Sequence, residues 1–191
     1  MPWNVDGVSG EDRFVALHYN APAAALIAQF ERKVSGRYPV SSIYVKRPSD
    51  AHYWKAFAAD DRTTARDAVT ASKAPLLFFH VSVVTRTDLV DPPREGIGLD
   101  WSQIGRMNLL TGEQSVVVDA EQFQERHSGA RVGHIVSAAD DGSSLVCRIG
   151  KSRPDPTEED PHQTVVDYSL CRLDLSTGDF EVIAALPNIF F

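Results

Sequence analysis

Over most of the chain, apolar and polar residues alternate with a period of two, interrupted by short polar turns. Two stretches are near copies of each other: RMNLLTGEQSVVV, starting at Arg106, and RLDLSTGDFEVIA, starting at Arg172. At an offset of 66 residues, Arg106 pairs with Arg172, Leu109 with Leu175, Thr111 with Thr177, Gly112 with Gly178 and Val116 with Val182. The neighbours agree in kind, Ile104 with Leu170, Met107 with Leu173, Asn108 with Asp174 and Glu113 with Asp179. Alternation on both sides of Thr-Gly predicts a β-hairpin, the glycine supplying the positive φ of a tight turn. The likeness runs backwards into GHIVSAADDGSSLVCRI (133–149) and RDAVTASKAPLLFFHVS (66–82), each reading as strand, turn, strand. Two four-stranded antiparallel units are therefore expected, with strands at 67–72, 76–85, 101–110 and 114–119, then at 132–138, 144–150, 165–175 and 180–186.

The N-terminal third is patterned differently. RFVALHY (13–19) alternates as a strand. NAPAAALIAQFERKVSG then predicts a helix, capped by Asn20 and stopped by Gly36, with Leu26, Phe30 and Val34 four apart on one face. PVSSIYVKRP (39–48) predicts another strand, and Ser49 is placed to cap a short helix running through Trp54 and Phe57.

Four-stranded units repeated at this period are the sequence pattern of propeller blades. SAADDGSSLVCRI followed by LCRLDLSTGDFEVI resembles the repeat of TolB-like and WD-repeat-like β-propellers, in which an Asp-Gly turn precedes a buried strand and a Leu-Asp-Leu-x-Thr-Gly hairpin closes the blade. The resemblance is good over 131–186, fair over 66–120 and absent before Arg66, and the His and Trp-Asp landmarks of WD repeats are missing. It implies a fold and no chemistry. The fold class expected is mainly β: two four-stranded antiparallel propeller-like blades over 66–191 and an N-terminal strand-helix (α/β) region over 1–65, either a degenerate blade or an unrelated cap, together forming one compact domain. Closed propellers have about four to eight blades, so the open ends need cover. Either the N-terminal region supplies it, or a homo-oligomer forms through the apolar C-terminal end at Phe190 and Phe191.

The charge balance, 26 acidic against 19 basic residues for a net −7, argues against a nucleic-acid partner, since such proteins gather cations on one face. No stretch approaches the ~20 apolar residues of a membrane span. The start has no basic segment leading into an apolar run, so a cytoplasmic location is expected. The two cysteines, Cys147 and Cys171, are expected to be buried free thiols.

Loop length carries the functional reading. Within each unit the first and third connections are tight, whereas RTDLVDPPREGIGLD (86–100), GKSRPDPTEEDPHQ (150–163) and DAEQFQERHSGAR (119–131) are long. In an up-and-down unit alternate connections leave the same side, so the long ones are expected on one face, where binding loops ride on a rigid scaffold. The binding candidates are Arg86, Asp88, Asp91, Arg94, Glu95, Arg126, His127, Arg153, Asp155, Glu158, Glu159 and His162. They point to a non-catalytic interaction module for a protein or peptide partner, basic in one version and inhibitor-like; ordinary solvated loops are the plain alternative. No cofactor or metal is expected, DPTEED lacking the glycine-bearing order of a calcium loop. No nucleophile elbow, zinc helix or phosphate loop occurs. The enzyme alternative is a truncated propeller-type lyase or hydrolase using His127 and His162 with Asp88 and Glu158. His80 and His134 are assigned structural roles, and Trp101 a buried one.

Overall fold

The structure is a computed structural model of the chain, and it describes residues 12–32, 40–59, 63–85, 98–154 and 164–187. Among the described residues the strands are β1 (Asp12–Asn20), β2 (Ala25–Arg32), β3 (Val40–Lys46), β4 (Trp54–Phe57), β5 (Thr63–Thr70), β6 (Leu76–Thr85), β7 (Gly98–Asn108), β8 (Gln114–Asp119), β9 (Arg131–Ala138), β10 (Ser144–Pro154), β11 (Thr164–Asp174) and β12 (Phe180–Ala185). A helix, α1 (Ala120–Arg126), sits between β8 and β9. The strands form three four-stranded antiparallel sheets, ordered β1-β2-β3-β4, β5-β6-β7-β8 and β12-β11-β10-β9.

The repeat holds down to single hydrogen bonds. In the β7–β8 turn, Leu110 N–H and Thr111 N–H donate to Asn108 Oδ1, and Gly112 N–H to Asn108 O. In the β11–β12 turn, Ser176 N–H and Thr177 N–H donate to Asp174 Oδ1, and Gly178 N–H to Asp174 O. Gly112 and Gly178 adopt φ of 79° and 72°, the left-handed conformation that the Thr-Gly hairpin demands.

The expected N-terminal strand-helix region is corrected: the first sheet is a third meander. Instead of opening a helix, Asn20 organises a tight turn, its Oδ1 accepting from Ala23 N–H at 2.9 Å while Ala24 takes φ 47°. The chain then continues as β2, paired with β1 and β3. A spacing of four is also twice two, so Leu26 and Phe30 share a strand face as readily as a helix face. The short helix expected after Ser49 is likewise a turn leading into β4. Asp50 holds that turn, accepting from Arg47 N–H at 2.9 Å and from Trp54 Nε1 at 3.1 Å.

The second sheet is covered on both faces, because alternate residues of β6 point opposite ways. Leu77, Phe79 and Val81 join Ile27, Ile43 and Val45 of the first sheet and Met107 and Leu109 in one core. Phe78 joins Ile104, Val132, Leu145, Cys147, Ile149 and Leu173 in the other. The tight turns clasp one another at one end. Asn20 Nδ2 donates to Ala71 O and Ala74 O at 2.8 and 2.9 Å, and Lys73 N–H donates to Asp140 O at 2.7 Å. Helix α1 starts on Asp119, whose carboxylate accepts from Glu121 N–H and Gln122 N–H, and buries Phe123 against Trp101 and Phe180. Among the described residues no helix is long and apolar enough to cross a membrane.

Candidate functional site

The face of β6 that turns toward the third sheet begins apolar, with Leu76 and Phe78, and then becomes polar at His80 and Ser82. His80 and Ser82 are 2% and 1% exposed. Opposite them on β7 are Ile104 and Trp101. A cavity of about 490 Å³ opens here, lined from the second sheet by Arg66, His80, Ser82 and Trp101, and from the third by Arg131, Val132, Gly133, His134, Arg148, Gly150, Ser152, Val166 and Tyr168.

Three of its lining side chains carry buried nitrogens without a hydrogen-bond partner: His80 Nδ1 and Nε2, Trp101 Nε1 and Arg148 Nε. Buried polar atoms are normally satisfied, so several orphans beside one cavity mark a place where a partner belongs. Arg148 lies with its guanidinium 4.5 Å over the Tyr168 ring and against Gly133, where a Cβ would stand 3.0 Å from Nε. The glycine is what leaves the guanidinium room.

Asp67 braces the wall between the second and third sheets. It sits where the β5–β6 register shifts between Arg66 and Val69, and it adopts φ 53°, left-handed for a residue with a Cβ. Such a bulge re-aims a side chain. Its carboxylate lies 3.0 and 3.1 Å from His134 Nδ1 and accepts from Ile135 N–H at 3.3 Å. A carboxylate at neutral pH only accepts, so His134 Nδ1 carries a proton and donates it to Asp67. Burial pushes the Asp67 carboxyl upward, but the His134 hydrogen bond and the charges of His134, His80 and Arg66 outweigh it and hold it below the ordinary 3.8. His80 lies 3.9 Å from Asp67. Burial drives its imidazole down to about 4 against the pull of Asp67, so it is neutral at pH 7 and offers one donor and one acceptor.

A second cavity of about 500 Å³ lies beyond Asp67, lined in part by Val15, His18, Gln29, Glu31 and Ser41 of the first sheet and again by Arg66 and Asp67. It has no orphaned nitrogen among the described residues. Among the described residues no group of three or more His, Cys, Asp or Glu is placed to hold a metal ion. No side-chain nucleophile is hydrogen-bonded to His134 among them either.

Of the residues singled out from the sequence, Arg86, Asp88, Asp91, Arg94, Glu95, Asp155, Glu158, Glu159 and His162 lie outside the described residues, as do Phe190 and Phe191. The other three make intramolecular contacts. Arg126 donates to Thr177 O and, at 2.7 Å, to Asp179. His127 Nε2–H donates to Gly178 O at 2.9 Å with its ring against Phe123 and Phe180. Arg153 pairs with Asp167 across β10–β11. Helix α1 thus reaches a tight turn, which loop length alone placed at the opposite end. The cavity was not anticipated, although a signal for it existed: two polar residues of equal parity, His80 and Ser82, inside the apolar run LLFFHVSVV.

No protein-family model matches the chain, and no curated protein matches it. Among solved structures it is similar to a puromycin-hydrolyzing peptidase of Mycobacterium tuberculosis, at 14% identity and a TM-score of 0.35, over 95% of this chain and 31% of that one. The chain thus spans about a third of that peptidase, and so low a TM-score carries no inference from it.

Proposed function

We propose that the three sheets are blades of a propeller-like repeat and that the chain is a non-catalytic binding module for a protein or peptide partner, with the cavity beside His80, Trp101 and Arg148 as its seat. The observation that supports this reading is that three residues lining the cavity, each from a different strand, carry buried nitrogens without a hydrogen-bond partner. Its size falls within the ~300–1,000 Å³ of pockets that hold small molecules, enough for one side chain or chain end of a peptide. Ser82, Trp101, Ser152 and Val166 place the cavity toward one end of β6, β7, β10 and β11.

A second reading is favoured by the Asp67–His134 pair, which orients an imidazole as a general base does and would serve a hydrolase or lyase. One experiment separates the two. The indole N–H resonance of Trp101, assigned with Trp101→Phe, is followed while acidic, neutral and basic pentapeptides are added, and each peptide is weighed afterwards by mass spectrometry. The binding-module reading expects the resonance to move with at least one peptide and every peptide to be recovered intact. A resonance indifferent to all of them sinks the seat, and cleaved peptide selects the enzyme.

A further inference from the structure

We infer that the cavity is a carboxylate seat, in which the guanidiniums of Arg148 and Arg66, with the indole N–H of Trp101 and the imidazole of His80, take an acidic group of a peptide partner. The inference rests on the cavity being a ligand seat and adds the chemistry of the ligand.

The chain carries a net −7, and carboxylates are plentiful. Arg32, Arg47, Arg126 and Arg172 each pair with one, respectively Asp12, Asp50, Asp179 and Glu181. Arg66 and Arg148 line the cavity with no hydrogen bond or ion pair to a carboxylate among the described residues. Asp67 is the nearby carboxylate, and its oxygens are turned to His134 and to Ile135 N–H. The Asp67 charge offsets that of Arg66 beside it, which leaves the guanidinium of Arg148 as the charge that draws an anion.

Arg148 Nε and Trp101 Nε1 can only donate, so the partner they lack is an acceptor. The Arg148 side chain is packed by the Tyr168 ring and by Gly133. A planar fork held in one orientation matches a carboxylate through two parallel hydrogen bonds. At about 490 Å³ the cavity takes the residue that bears the carboxylate as well as the group itself.

The carboxylate has two sources, a chain terminus or an aspartate or glutamate side chain, and the test tells them apart. The full chain is titrated calorimetrically with acetylated Ala/Gly pentapeptides: one with a free C-terminus, one amidated, one amidated with a central Asp, and one amidated with a central Lys. Inorganic phosphate is titrated alone. Binding of the free-terminus peptide, the Asp peptide or both, with the neutral and Lys peptides silent, is the expected result. Preference between the first two identifies the source. Arg148→Met is expected to weaken the acidic peptide by about tenfold or more. Gly133→Ala, which presses a methyl toward Nε, is expected to weaken it with the fold intact, and Trp101→Phe to weaken it while keeping the ring. Neutral or Lys peptides binding as tightly as acidic ones would overturn the carboxylate while leaving the seat. So would phosphate binding with all peptides silent, or an Arg148→Met protein that melts normally and binds unchanged. No response of Trp101 to any peptide overturns both the seat and its chemistry.

Discussion

Asp67 ties the bulge of β5 to β9 by hydrogen bonds, and replacing it in three ways separates its contributions. Its carboxylate holds His134 Nδ1 at 3.0 Å and Ile135 N–H at 3.3 Å, from a backbone at φ 53°. Asp67→Asn keeps a side-chain acceptor and tolerates the left-handed backbone, so it costs least, about 1 kcal/mol from the lost charge. Asp67→Gly abolishes both hydrogen bonds and leaves the Ile135 N–H to find water, about 2 kcal/mol. Asp67→Ala adds a Cβ in the left-handed region. The steric cost there is about 1–2 kcal/mol, partly offset because alanine has the less flexible unfolded chain, so the alanine variant lies about 0.5–1 kcal/mol below the glycine one. Equilibrium urea unfolding monitored by far-ultraviolet circular dichroism gives the three differences. The order expected is Asn, then Gly, then Ala, from least to most destabilised. Equal midpoints for Gly and Ala refute the left-handed backbone, and three midpoints equal to that of the parent chain refute the brace itself. Acid adds a check. The folded carboxyl titrates below its ordinary 3.8, so the stability it contributes is present above that value and is lost as the pH falls through the folded one. The Asn variant lacks that loss.

Other consequences are as direct. His80 titrates at about 4 when folded and near 6.5 when unfolded, so the unfolded chain takes the proton first. Stability is complete above about pH 6.5 and falls toward pH 4, by about 3 kcal/mol on this account; urea midpoints at pH 7 and 4.5 measure it, and His80→Phe should flatten the slope. Gly105→Ala brings a Cβ to 2.6 Å from the buried Phe79 ring and is expected to cost about 1–3 kcal/mol in the same assay, with partial rescue by Phe79→Leu. Asn20→Ala strands two carbonyls and an N–H at the clasp of the first two sheets, a loss of about 2–4 kcal/mol that thermal melting would show. Burial pushes the Cys147 thiol up to about 12, so native protein should resist iodoacetamide at pH 8 and react once denatured.

The eight strands from β5 onward could be read from the chain because their signal is local: alternation, Thr-Gly, Asp-Gly. The first sheet could not, because Leu26 and Phe30 satisfy the strand period and the helix period at once and Asn20 suits a turn as well as a cap. The site was hidden for a different reason. Its members come from β5, β6, β7, β9, β10 and β11, and no spacing along the chain announces that Arg66, Trp101 and Arg148 share a wall. Left-handed backbone at Asp67 is equally silent, since the residue is not glycine. Long loops drew the functional reading toward Arg126 and His127, whose side chains the structure commits to the turn at Thr177 and Gly178.

Trp101 and Arg148 line one cavity, and its ligand is the matter to be tested. A crystal structure of the chain with an acetylated pentapeptide bearing one carboxylate tests it most directly. The carboxylate should lie within about 3 Å of Arg148 nitrogen atoms, in the plane of the guanidinium, with the Trp101 indole N–H paired to the ligand. A peptide bound elsewhere, with both side chains turned to ordered water alone, would contradict the claim.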